Sequence, residues 1–341
     1  MSERTITIEK PWNWKRLIFQ WEWFLILLFV ILNFINSRLS PYYFSLDTFL
    51  NTPMNFLDKA FLVLPMTMII VLGNIDVSVA STVALSSVVM AVSYNAGLPM
   101  PAAMVLALFV SSTCGLMNGL LIIKFKELSP TIITLATMSI FRGIAYVILE
   151  DRAAGKFPEW FAFLAWGYVG KVPFIIIVFA VCAIFFAVLI HRTRFGRALF
   201  AMGNNATACR YSGIETKKVL VITSVLAGLM AGVTGLFLTS RMGSTRPNVA
   251  TNYELDVIAM VVLGGVSTSG GKGRLTGPLL AILIIGFLNY GLGLVNISAQ
   301  VLLIILGVLL ILSVMILNLR FSKRHQKPAS AKTSSPAAKG V

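Results

Sequence analysis

Histidine, cysteine and charge are all scarce in this chain of 341 residues. His191 and His325 are the only histidines, and both flank apolar runs, which leaves almost no material for a metal centre or a histidine-based catalytic site. Cys114, Cys182 and Cys209 are scattered and form no CxxC, so thiol redox chemistry and thiolate metal clusters have no framework. Charged residues make up 12% of the chain, roughly half the share of a soluble domain, while 57% are apolar and the mean hydropathy is +0.86. Such a chain takes lipid as its solvent. Long polar intervals are missing as well, which excludes a separate soluble lobe. One transmembrane domain is expected over 20–319, between a cytoplasmic lead at 1–19 and a disordered, basic cytoplasmic tail at 320–341.

What is present is a series of apolar runs, each able to cross a hydrocarbon core of about 30 Å. They lie at about 20–36, 57–73, 77–94, 101–123, 131–149, 172–190, 219–239, 276–294 and 297–317, with a shorter one at 254–266. The fold class read from them is all-α, a polytopic bundle of about ten spans. The first run follows a polar, Trp-bearing lead and lacks a small-residue cleavage site, so it is expected to stay as an anchor.

The net charge of +15 is not spread as a nucleic-acid surface would be. Twenty of the 28 Lys and Arg residues fall in the lead, at Lys124 and Lys126, in the 191–218 loop, at Lys272 and Arg274, and in the tail. Alternate connections thus carry the positive charge, which places both termini in the cytoplasm. Small residues recur one turn apart at Ser111, Gly115 and Gly119 and again at Ala227, Gly228, Ala231, Gly232 and Gly235, a pattern expected for close helix packing in lipid.

Four places carry chemistry. The 191–218 loop is long for a bundle connection, with a basic start, a Gly203-Asn204 opening to a short helix containing Ala208, and a Gly213-Ile214 exit. It reads as a helix that docks on another protein or as a solvated basic segment, Arg197 being one of its cations. Asp76 is an acid between two adjacent apolar runs, costly at membrane depth. It or Ser78 caps the next helix, or it lines a solute path with Asn74 and Asn118. Arg142 lies inside the fifth run and needs a partner, for which Glu254 and Asp256 are available; an ion pair is favoured over solute contact. Asn289, Asn296 and Gln300 are further amides able to bond a neutral solute. Finally, 266–273 imitates a P-loop but has Val266 for its first glycine and Gly273 where Ser or Thr would hold magnesium, so a glycine-rich turn is expected there.

Four stretches resemble the permease subunits of bacterial carbohydrate importers of the ATP-binding cassette class, the ribose, xylose, arabinose, rhamnose and autoinducer-2 type. They are Gly73-Asn74-Ile75-Asp76-Val77-Ser78-Val79-Ala80-Ser81; Asn118-Gly119 through Pro130, Thr134-Leu135 and Arg142-Gly143; the 191–218 loop; and Tyr253-Glu254-Leu255-Asp256 through Ser269-Gly270-Gly271-Lys272-Gly273. The resemblance implies a paired permease, cytoplasmic ATPase domains seated on a coupling helix in the 191–218 loop, and an extracytoplasmic sugar-binding protein. It implies no catalytic residue, metal or cofactor in this chain and no nucleic-acid partner, with ATP hydrolysis left to another subunit. The chain departs from the family pattern at Asn205 and Ala206, where acids are common, and at Asn74 and Ala80, where glycines are, as in the divergent half of a heterodimer. Rhamnose and autoinducer-2 are the favoured solutes. The other readings are a proton-coupled carrier using Asp76, or a permease of the same plan for branched-chain amino acids or nucleosides.

Overall fold

The computed structural model describes residues 21–39, 43, 45–297 and scattered positions between 301 and 315. The lead at 1–19, most of the run at 297–317, Gln300 and the tail at 320–341 lie outside the described residues. Among the described residues the chain is mostly helical. Helix α1 (Trp21–Leu39) and short α2 (Leu46–Asn51), which runs into a 3-10 turn at Thr52–Asn55, lead to α3 (Leu57–Val71), α4 (Val79–Asn95), α5 (Met100–Lys124) and α6 (Pro130–Leu149). One-turn α7 (Phe163–Trp166), then α8 (Phe174–Arg192), α9 (Arg194–Tyr211), α10 (Thr216–Met242), α11 (Tyr253–Leu263) and α12 (Thr276–Leu294) complete the bundle. Two minimal antiparallel pairs decorate it: β1 (Ala154–Gly155) with β4 (Ser244–Thr245), and β2 (Tyr168–Val169) with β3 (Val172–Pro173).

Every apolar run expected before residue 297 is a helix, but not every helix is full length. Six (α1, α5, α6, α8, α10 and α12) are long and apolar enough to cross a membrane singly, and a seventh arises only if the bent pair of α2 with its 3-10 turn and α3, angled at 68°, is taken together. Helix α4 has 17 residues and α11 only 11. At 1.5 Å per residue α11 is about 16 Å long. The chain before it, 243–252, is irregular and turns inward, burying Thr245, Pro247, Val249 and Ala250. Irregular backbone at such depth must be satisfied by protein groups. Here β1 and the side chains described below supply them.

Burial separates two kinds of apolar helix. All of α3 except Lys59 is buried, so this helix is apolar on every face and sits at the centre of the bundle. Helix α8 is the most hydropathic of the six long ones, yet only 17% of its best window is buried. Its face of Val181, Ile184, Phe185 and Val188 is exposed, as suits a helix solvated by lipid. The two small-residue stripes read from the sequence meet each other. A Cβ on Gly115 of α5 would fall on the Ser224 carbonyl oxygen of α10, and one on Gly228 of α10 would fall on the Ser111 carbonyl oxygen. Only glycine permits that backbone approach, which makes α5 and α10 the most intimate pair in the bundle.

The helices gather their connections at two ends. One end holds α9, the end of α3 and the 264–275 turn: Trp21 Nε1 donates to the Leu263 carbonyl (2.8 Å), and the Leu275 N–H donates to His191 Nε2 (3.3 Å). At the opposite end β1 pairs with β4, Asn36 donates to the Phe287 carbonyl (3.1 Å), and Tyr168 donates to Asn51 (2.8 Å).

Candidate functional site

Asp76 sits in a tight corner between α3 and α4 on the α9 side of the bundle. Gly73, at φ +79°, turns the chain out of α3, and the Asn74 N–H closes the helix on the Ile69 carbonyl (3.1 Å). The buried Asp76 carboxylate accepts both the Ser78 N–H (2.8 Å) and the Ser78 hydroxyl (2.7 Å). Ser78 opens α4 without a side-chain cap bond of its own, so Asp76 shapes the turn from two residues back. The Ser78 hydroxyl in turn accepts from Asn118 of α5 (2.7 Å), and Thr134 of α6 donates to the Ile75 carbonyl (3.3 Å). The corner thereby joins four helices. Beside it lies a gap of about 20 Å³ touching Asn74, Asp76 and Thr134, and the buried Asn118 carbonyl oxygen has no hydrogen-bond partner.

The 191–218 loop is helical throughout its centre. Thr193 caps α9 by accepting the Gly196 N–H (3.2 Å), and the helix is broken at Asn205, which is extended (φ −158°, ψ 96°). Asn205 then caps the second half by accepting the Ala208 N–H (2.9 Å), and Gly213, at φ +79°, ends it. The two halves differ in surroundings. Leu199 and Met202 of the first are buried, whereas the segment 204–213 is exposed apart from Cys209. Gly203 is the seat: a Cβ there would fall on the Val71 carbonyl oxygen and the Gly271 nitrogen. The Gly271 N–H donates to that same Val71 carbonyl (2.8 Å), and Asn204 reaches the Gly271 carbonyl (3.4 Å). The expected glycine-rich turn at 266–273 thus lies against α9 and Val71, the last residue of α3, five residues before Asp76. Arg197 is exposed on the first half.

Arg142 does not take the carboxylate partner expected of it. Its Nη1 donates to the carbonyls of Pro247 and Val249 (both 2.7 Å), the inward-turned segment between α10 and α11. Two carbonyls satisfy a guanidinium at this depth while satisfying the irregular backbone too. Asp256 is occupied by Lys59 (2.6 Å), and Glu254 forms no ion pair among the described residues. Asn74, Asp76, Ser78 and Asn118 therefore come together at one end, and Arg142 stands apart from them.

The opposite end holds charged residues the sequence reading passed over. Asp58, fully buried in the first turn of α3, accepts from Arg241 (3.1 Å) and from the Tyr253 hydroxyl (3.1 Å), while Arg241 also donates to the Asn55 carbonyl (2.6 Å). Lys59 lies 5.0 Å over the Tyr253 ring. A cavity of about 460 Å³ opens beside these groups, between them and the end of α12. An acid and a base adjacent at 58 and 59 were the available signal, since neither is easily left on an apolar run without a partner.

Apolar helices of membrane-crossing length, packed on a glycine seam, with buried polar corners and a capped helix projecting from one end, define a multi-pass membrane permease. Residues 50–314 match the family described as branched-chain amino acid transport system / permease component, and the chain belongs to that family. It is 37% identical to the ribose import permease protein RbsC of Bacillus subtilis (strain 168), over 84% of this chain and 89% of that one. It is 34% identical to the autoinducer 2 import system permease protein LsrD of Salmonella typhimurium, over 88% of this chain and 92% of that one. With LsrD of Escherichia coli O9:H4 the identity is 33%, over the same shares. No solved structure matches.

Proposed function

We propose that this chain is the membrane-crossing subunit of an ATP-driven importer for a small sugar or sugar-like solute, of the ribose, rhamnose or autoinducer-2 type. An extracytoplasmic binding protein delivers the solute, a second permease chain completes the path, and a cytoplasmic ATPase supplies the work. In this reading the chain crosses the bacterial inner membrane ten times, with both termini in the cytoplasm, and the pairs α3 with its preceding bend, α4, and α11 with 243–252 serve as incomplete or bent crossings. Reporter fusions at residue 155 and at Val341 should then report opposite sides.

The observation that carries the reading is the exposed second half of α9, capped by Asn205 and anchored by Gly203 to the bundle. A short helix with small side chains, held rigidly at one end and free at the other, suits a cleft in a partner. Motion of that helix would reach Val71 and the 266–273 turn through the Gly203 contact, and from Val71 the Asp76 corner is five residues away. The names of the relatives, ribose and autoinducer-2 permeases, favour a hydroxyl-rich neutral solute over a branched-chain amino acid.

Ala208→Trp tests the coupling role. It should insert and pair normally, yet lose the ATPase on purification and fail to import D-ribose, L-rhamnose and autoinducer-2. Disruption of a packed contact costs about 2 kcal/mol, a roughly thirty-fold loss in association. Normal co-purification and uptake would return the loop to a solvated basic segment. Accumulation of solute by this chain alone under a proton gradient would favour the carrier reading instead.

A further inference from the structure

The cavity at the end of the bundle opposite α9 is used by nothing described so far. Five residues of α12, Gly286, Asn289, Tyr290, Gly293 and Leu294, line it at a spacing that puts them on one helix face. That face is unusual for an apolar helix of membrane-crossing length. Asn289 is half-buried, and its amide has no hydrogen-bond partner among the described residues. Facing the open cavity, that amide is available to bond whatever enters it. Gly293 leaves room beside it, for a Cβ there would meet nothing within 4 Å. Across the cavity stand Lys59, Arg241 and Tyr253.

The charges fix the class of occupant. Lys59 is neutralised by Asp256 at 2.6 Å and Arg241 by Asp58 at 3.1 Å, so the wall carries donors without a free positive charge to hold an anion. Lys59 keeps further N–H donors, Asn289 offers both a donor and an acceptor, and the Tyr253 and Tyr290 rings give apolar faces. Donors and acceptors beside aromatic faces suit a molecule with hydroxyls on its rim and C–H groups on its faces. A volume of about 460 Å³ falls in the range of small-ligand pockets.

We propose that this cavity, lined by α12, by Asn55 and Phe56, and by the ends of α3, α10 and α11, is a subsite for a neutral, hydroxyl-rich solute, occupied within one permease chain on the side opposite the ATPase. It rests on the sugar-importer reading. The solute would exchange hydrogen bonds to water for those of Asn289 and Lys59 on leaving its binding protein.

The test uses the complete importer, with ATPase and binding protein, in proteoliposomes. Gly293→Cys is made in a background where Cys114, Cys182 and Cys209 are alanine, and its modification by a maleimide is timed with and without D-ribose, L-rhamnose or autoinducer-2. The transported solute should slow labelling several-fold. Asn289→Leu should lower uptake by about tenfold, the scale of one lost polar contact, while binding-protein stimulation of ATP hydrolysis persists, and Asn289→Gln should recover part of the loss. Import by the parent protein with labelling indifferent to solute would overturn the subsite but leave the importer reading intact. Labelling blocked by solute-free binding protein would make the cavity a protein contact and overturn it as well. If the parent protein imports none of D-ribose, L-rhamnose and autoinducer-2, the importer reading falls and the subsite with it.

Discussion

The two ends of the bundle are held by different means. At the α9 end the contacts are backbone against backbone: Gly203 on Val71, Gly271 on Val71, with Asn204 and Asp76 shaping turns. At the opposite end, long charged side chains reach across. Arg142 grips two carbonyls, Arg241 ties Asp58 to Asn55, and Lys59 closes on Asp256. Backbone contacts at van der Waals distance transmit displacement, because neither side can yield without the other moving. Side-chain clamps instead hold irregular chain in place, satisfying polar groups that lipid cannot. The difference teaches that one end is stiffened by close backbone contact while the other keeps an irregular wall standing.

Substitutions can break this contrast in order of expected effect. Asp58→Ala removes the fully buried carboxylate that part-exposed Arg241 and the Tyr253 hydroxyl share, and losing both charge-assisted bonds should cost about 3–5 kcal/mol, seen as a large drop in the thermal midpoint of the purified chain in detergent. A midpoint near that of the parent would show that the opposite end does not depend on its clamps. Arg142→Leu removes two charge-assisted bonds to the 247–249 backbone and should cost about 3 kcal/mol. Increased proteolysis confined to the 243–252 segment is the matching signature, and an unchanged cleavage pattern would count against it. Gly203→Val should cost less stability, about 1–3 kcal/mol for a forced backbone shift, yet abolish ATPase retention and uptake. Retention with normal uptake would mean that displacement is not passed through this contact. The smallest effect is expected of Asp76→Asn, which keeps one acceptor for Ser78. Expression and midpoint should change by less than about 1 kcal/mol, with uptake reduced several-fold. Unaltered uptake would leave Asp76 as a shaper of the turn and nothing more.

Local features were legible in the sequence and cross-chain ones were not. Each apolar run before residue 297 is a helix, because long apolar segments have few other fates in lipid, whereas no run announced the short helices α2 and α7. The stripes at 111–119 and 227–235 foretold a close crossing, since only small residues allow one, although nothing in either stripe named the other as its mate. The helix inside the 191–218 loop was visible from its glycine and asparagine boundaries. Arg142 was recognised as needing a partner, but spacing favours no one partner 105 or more residues away, and carboxylates were the obvious choice over the Pro247 and Val249 carbonyls. Helices α4 and α11 match the runs at 77–94 and 254–266 in place and nearly in length, but neither run foretold the irregular stretch 243–252 that precedes α11. Hydropathy measures how apolar a segment is, not whether its backbone stays helical when neighbouring side chains can satisfy it otherwise. The cavity lay hidden because Lys59, Arg241 and Asn289 are distant in sequence and ordinary singly.

The extended residue at Asn205 has a consequence for how such permeases diversify. Because the helix is interrupted there and restarted by its own cap, the eight or so residues that follow form a detachable fitting whose angle is set by one peptide. Under the coupling role proposed for this helix, a graft of 206–213 from a relative should change which motor the chain accepts and leave Gly203, the Asp76 corner and the far cavity untouched. Such a chimera recruiting the donor's ATPase, while still importing its original solute, would mean that motor choice and cargo choice are inherited separately in a single polypeptide.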